Sequence, residues 1–201
     1  MEPTPTLLCI PDISGFTNFM SNTAIEVSAK VIPSLLNNII YSNQIGLKVS
    51  EIEGDAVLFY KVGPLPPFED LIDQCRYFFT EFYAQLKAVM EKYNDHKEVP
   101  AIDEVLGLKI IVHFGEDVVA QPIGKNIKLM GEDVILAHRL LKNKIEIKEY
   151  LLLSAQLLDQ YPTEEINANF TWSQVHEKDT TYKHLGAVNY SYINLKPLLD
   201  H

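Results

Sequence analysis

The chain has 201 residues, 47% of them hydrophobic, enough to bury one core, so residues 1–201 read as a single domain. Its net charge of −10, with no basic stripe to offset it, argues against nucleic acid as a partner, and no apolar run reaches membrane-spanning length. Cys9 and Cys75 both lie in apolar segments and the N-terminus lacks a basic, signal-like start, so the expectation is a soluble cytoplasmic protein with reduced, buried thiols.

Leu7, Leu8 and Ile10 form a short buried strand that ends at Asp12, and Ser14-Gly15 turns the chain into a helical segment. A carboxylate at a strand end, beside free backbone groups, can hold a hard cation; equally, it can satisfy the turn with its own oxygens. The helical region runs to about Ser42, with Pro33 expected to break it or to start a second helix. Residues 49–60 read as a hairpin of two β-prone runs around Gly54-Asp55, closed by the stiff Gly-Pro-Leu-Pro-Pro loop at 63–67. From Phe68 to Tyr93 the apolar residues recur at helical spacing, and their aromatic content suits core packing.

Residues 94–104 are polar and read as a surface connection, after which Leu106, Leu108, Ile110, Val112 and Phe114 alternate as one face of a strand. A Gly115-Glu116-Asp117 turn should make 118–123 its hairpin partner. Gly131 precedes a helix to about Lys142, with Glu132 and Asp133 at its positive end. Residues 151–153 form a further strand, 155–160 a short helix, and 170–195 two or three Tyr- and Thr-rich strands. This order predicts an α+β fold: a mostly antiparallel sheet with helices packed on one face, embedding a ferredoxin-like βαββαβ core.

Four segments together carry a resemblance. Asp12-Ile13-Ser14-Gly15-Phe16-Thr17, the Gly54-Asp55 hairpin, the strand Gly107 to Gly115 and the helix Gly131 to Leu140 occur in the order found in class III nucleotide cyclase catalytic domains. The chain resembles that family over about residues 6–195. The resemblance implies that Asp12, Asp55 and the Ile13 carbonyl hold divalent metal, Mg2+ or Mn2+, over the triphosphate of a nucleotide. It implies that Glu51 and Lys128 stand where the base is selected. Glu51 could accept from guanine, and Lys128 could donate to its O6; the alternative is that the two pair with each other or are merely solvated.

The resemblance fails at the transition-state residues. Arg139 stands at the family's arginine position, but Ile135 replaces an asparagine and cannot orient the ribose. Asn189 stands where a late lysine should contact the triphosphate, and Lys125 or Lys128 is the candidate replacement. His113 reads as a packed strand histidine, and His138 as a residue without a catalytic role. The expectation is a divergent cyclase-like homodimer that binds metal and a purine nucleoside triphosphate with impaired turnover. The alternatives are an active, guanine-preferring cyclase and a ligand-free dimeric interaction module.

Overall fold

The computed structural model describes residues 2–93, 105–124 and 126–200, so the expected connection at 94–104 and Lys125 lie outside the described residues. The first strand, β1 (Thr6–Ser14), is buried from end to end except at its last residue, which means that both faces of the sheet must be covered at this strand. Gly15 turns the chain into α1 (Phe16–Asn22) at φ +81°, and a Cβ there would lie 1.9 Å from the Val105 carbonyl oxygen. Both the left-handed backbone and the close approach demand glycine. Gly15→Ala is therefore expected to destabilise the fold by about 2–4 kcal/mol, seen in urea denaturation as a lower midpoint at unchanged slope.

The expected break at Pro33 is absent. α2 (Ile25–Tyr41) passes through Pro33, and the interruption lies earlier, at Thr23 and Ala24, whose ψ angles of 137° and 138° are extended. Proline removes one helical donor, but α2 buries Val31, Ile32, Leu35, Leu36 and Ile39. That packing holds the helix where intrinsic propensity would not.

The hairpin forms as expected from β2 (Lys48–Glu53) and β3 (Ala56–Val62), and α3 (Phe68–Tyr93) buries Phe68, Phe78, Phe79 and Phe82 against the sheet. β4 (Gly107–Gly115) and β7 (Tyr150–Ser154) follow in the sheet, with β8 (Val175–Tyr182) and β9 (Gly186–Asn194) from the tail. The seven strands run in the order β2-β3-β1-β4-β7-β9-β8. All pairs are antiparallel except β4–β7. The β2-β3-β1-β4 portion is the βαββαβ core.

Helices cover both faces, not one. Leu7, Cys9 and Ile13 of β1 pack with α2 and α3, while Leu8 and Ile10 pack with α4 (Glu132–Leu140). A third correction concerns residues 118–123. β5 (Val119–Ile123) does not pair with β4; it pairs with β6 (Asn126–Met130) in a separate two-stranded ribbon on the α4 side. The turn before it is committed elsewhere: the Asp117 N–H donates to Asp133 Oδ2 at 2.8 Å, and Asp117 Oδ2 accepts from the Glu132 N–H at 3.2 Å. After β7 come α5 (Ala155–Leu158) and α6 (Thr163–Ala168), the latter not anticipated. No helix among the described residues is long and apolar enough to cross a membrane.

Candidate functional site

Strand pairing brings the first group of residues together. Asp12 lies opposite Ala56 on β3 and opposite Lys109 on β4. Partners across a sheet share a face, so the Lys109 ammonium reaches Asp12, with Nζ 3.5 Å from Oδ1. One residue on, the Ile13 N–H donates to the Asp55 carbonyl at 3.0 Å and ties the end of β1 to the hairpin tip. Burial pushes the Asp12 carboxyl up to about 6; Lys109 pulls it down, and the nearby Asp55 charge raises it again. Asp55 is also raised, chiefly by burial, against a backbone hydrogen bond and Lys109.

Two carboxylates share one ammonium here, so the ionised group carries an excess negative charge in a partly desolvated place. Such a donor set fits a hard divalent cation. Among the described residues no cluster of three or more His, Cys, Asp and Glu side chains could hold a metal by itself. A cation on Asp12 and Asp55 would thus complete its shell with the Ile13 carbonyl, water and phosphate oxygens. Lys109 is not legible from sequence because its partner is set by the β1–β4 register, across a long stretch of chain; a lysine in a strand apolar but for it and His113 is the available signal.

The second group lines a cleft of about 590 Å³ between β2, β6 and α4. Glu51 and Glu53 point into it from one face of β2, past a bulge between Val49 and Glu51. Lys128 from β6 donates to Glu51 Oε2 and stands 4.0 Å from Glu53. His138 of α4 sits between the same carboxylates, 3.7 Å from Glu51 Oε1 and 3.9 Å from Glu53 Oε2. Glu51 Oε1 itself is buried and has no hydrogen-bond partner among the described residues. The two residues expected to read a base therefore pair through one carboxylate oxygen and leave the other without a partner, with His138 beside them.

Ile135 and Arg139, four apart on α4, face the same cleft, and Ile135 is 55% exposed. The cleft thus gathers Glu51, Lys128, Ile135 and Arg139, whereas neither Asp12 nor Asp55 lines it. The start of α4 is fixed from below. Gly131, at φ +136°, packs against the Asp117 carbonyl, where a Cβ would lie 1.8 Å away. His113 is fully buried, with Nε2 3.0 Å from Asp133 Oδ1 and Nδ1 2.8 Å from Ser154 Oγ. Ser154 Oγ also accepts from the Leu157 N–H as the cap of α5. His113 is packed, as expected, and it anchors the helix that carries Ile135 and Arg139.

Asn189 does not join this group. It pairs with Asp179 on the sheet face opposite to that of Val188 and Tyr190, which pack in the α4 layer. It borders a hollow with Ala155 and Leu158 instead. Strand alternation therefore turns that position away from the cleft.

Residues 32–150 match the model of a family described as "Protein of unknown function (DUF2652)". The uncharacterized protein Rv2561/Rv2562 of Mycobacterium tuberculosis is 36% identical over 120 residues, 57% of this chain. The chain spans 55% of that relative's length in the match. Among solved structures, the adenylyl cyclase CyaB from P. aeruginosa matches at 15% identity over 96% of this chain and 94% of its own, with a TM-score of 0.65. The guanylyl cyclase Cya2 matches at 18% over 96% and 94%, with a TM-score of 0.61. The guanylate cyclase domain of RhGC from Catenaria anguillulae, solved with GTP, matches at 17% over 96% and 98%, also with a TM-score of 0.61. At such identities the likeness is one of fold, and it extends over nearly the whole chain. The chain belongs to the DUF2652 family and has the fold of class III nucleotide cyclase catalytic domains.

Proposed function

We propose that this cyclase-like domain binds Mg2+ or Mn2+ through Asp12, Asp55 and the Ile13 carbonyl, and binds a purine nucleoside triphosphate as a symmetric homodimer, with cyclase turnover impaired or absent. The observation that carries this reading is the raised carboxylate pair at the joined ends of β1 and the hairpin. A cation held there supplies charge neutralisation for a triphosphate and acidifies an attacking hydroxyl. The carboxylate pair and the cleft form separate halves within one chain, which supports an isologous dimer in which each copy completes the other's site. Ile135 supports the impairment, since an alkyl group on the cleft face offers no hydrogen bond to a ribose.

Guanine is the preferred base in this reading. Once Lys128 swings from Glu51 to the guanine O6, Glu51 can accept from the base, whereas adenine would turn a lone pair toward the carboxylate. The closed Glu51–Lys128 pair favours a second reading, a ligand-free interaction module, because the base-reading edge is already occupied. Calorimetric titration with Mn2+, then with GTP and ATP, separates the two. The expected result is Mn2+-dependent binding with GTP tighter than ATP. Equal affinities would reject the guanine assignment, and no binding of cation or nucleotide would select the interaction module.

A further inference from the structure

Both ring nitrogens of His138 face carboxylates. Nε2 stands 3.7 Å from Glu51 Oε1, and Nδ1 stands 3.9 Å from Glu53 Oε2. A neutral imidazole has one N–H and one lone pair, so it serves one carboxylate and turns its lone pair on the other. The protonated ring, with an N–H on each nitrogen, suits both at once. Glu51 Oε1 is the buried oxygen left over when Lys128 takes Oε2, so the unused acceptor lies on the side of the histidine. The titratable and charged groups lining the cleft around the ring are Glu51 and Glu53 from β2, Lys128 from β6, and Arg139 and Lys142 from α4; β3 contributes Ala56. The hydrogen bond to Glu51 raises Lys128 above the ordinary lysine value, so that it keeps its charge near neutrality. Protonated His138 therefore sets two cations against two carboxylates, and loss of its proton leaves Lys128 to hold both.

We propose that His138 is a proton-operated latch: protonated, it bridges Glu51 and Glu53 and fastens α4 to β2 across the cleft; neutral, it releases Glu51 Oε1. Histidine side chains exchange this proton in the near-neutral range. Because the bridge forms on the protonated ring alone, it stabilises the fold at lower pH, and that stabilisation is lost as pH rises. The latch also decides what Glu51 can offer a ligand. With Lys128 on one oxygen and His138 on the other, a base must displace a cation before Glu51 accepts from it. Once His138 gives up its proton, Oε1 is no longer held by a charge, and a guanine ligand is admitted. This consequence rests on the nucleotide reading above; the latch itself does not.

The test is thermal melting of the full chain and of His138→Gln at pH 5.5 and pH 8, each with and without the pair Glu51→Gln and Glu53→Gln. His138→Gln is expected to lower the melting temperature by about 2–4 °C at pH 5.5, the scale of one ion pair in a chain of this length, and by far less at pH 8. With both glutamates replaced, the pH-dependent part of that loss should vanish. A histidine that is merely packed costs the same at both pH values. Equal losses, no loss at pH 5.5, or a pH-dependent loss that survives without the glutamates would overturn the latch. Calorimetry with GTP and Mn2+ at pH 6 and pH 8 forms the second arm. From pH 8 to pH 6 the wild-type affinity should fall about threefold or more beyond the fall in His138→Gln, where Asp12 responds to pH alike. The expected melts without GTP binding would uphold the latch while the nucleotide reading fails. GTP affinities that fall equally in both proteins would overturn the gating of Glu51 while the nucleotide reading stands.

Discussion

Asp12→Asn is expected to raise the thermal stability of the metal-free protein at pH 7.5 and to abolish its response to Mn2+. Burial holds the Asp12 carboxyl at about 6 in the fold, against about 3.9 in an unfolded chain. Because the folded value is the higher one, the group opposes folding when ionised. Below about pH 4 both states are protonated and the penalty vanishes; it grows as pH rises toward 6 and is complete above that, at ~3 kcal/mol. Asparagine keeps the shape without the charge, but it leaves Lys109, whose side chain is only 21% exposed, without its partner. The net gain is therefore put at ~1–2 kcal/mol, a few degrees in melting temperature for a chain of this size. Thermal melts between pH 4 and 8 check the sign: the advantage of the variant should appear through pH 4–6 and persist above it. Mn2+ should stabilise the wild type at pH 7.5 and far less at pH 5, because ligation requires the ionised carboxylates. A variant less stable than the wild type at pH 7.5 would mean that ionised Asp12 does not oppose folding, and one that still answers to Mn2+ would remove Asp12 from the proposed cation ligands.

The parts of this fold that could be read from the sequence are those fixed by local chemistry. α3 announces itself by apolar spacing over 26 residues, and the Gly54-Asp55 turn closes a hairpin whose strands are neighbours in the chain. The misreadings all turn on distant partners. Nothing within Gly115-Glu116-Asp117 reveals that Asp117 and the Glu132 N–H will bind each other and carry the chain away from β4. Pro33 reads as a break because proline lacks a donor, yet packing of α2 on the core outweighs that local rule.

The site shows the same division. Asp12 and Asp55 stand at turns that a motif can mark, but Lys109 becomes visible only when the β1–β4 register sets it across from Asp12. A motif names Asn189, but the side on which it points is decided by the pairing of β9 with β8, where a shift of one residue reverses the face. Lys142 reads from sequence merely as the end of a helix; its place beside Arg139 on the cleft depends on how α4 lies against β2 and β6.

Cyclic-nucleotide formation from GTP or ATP with Mn2+ is expected to be no faster in the wild type than in an Asp12→Ala control. Catalysis of this kind depends on groups already aimed at the charge and geometry of the transition state, and removal of one such donor costs on the order of 10²–10³ in rate. Ile135 presents an exposed alkyl side chain where the ribose would need orienting, one turn from Arg139. Restoring the donor with Ile135→Asn should give little gain by itself, because groups acting on one transition state do not contribute independently. Adding Asn189→Lys is expected to change nothing further, since that position looks away from the cleft on the other face of β9. A gain in the double variant beyond that of Ile135→Asn would mean that the β8–β9 hairpin of a second copy reaches the cleft. Robust wild-type turnover that vanishes in Asp12→Ala would mean that other cations of the cleft, Lys128 among them, stabilise the transition state in place of the missing pair, and the impaired reading would then be wrong.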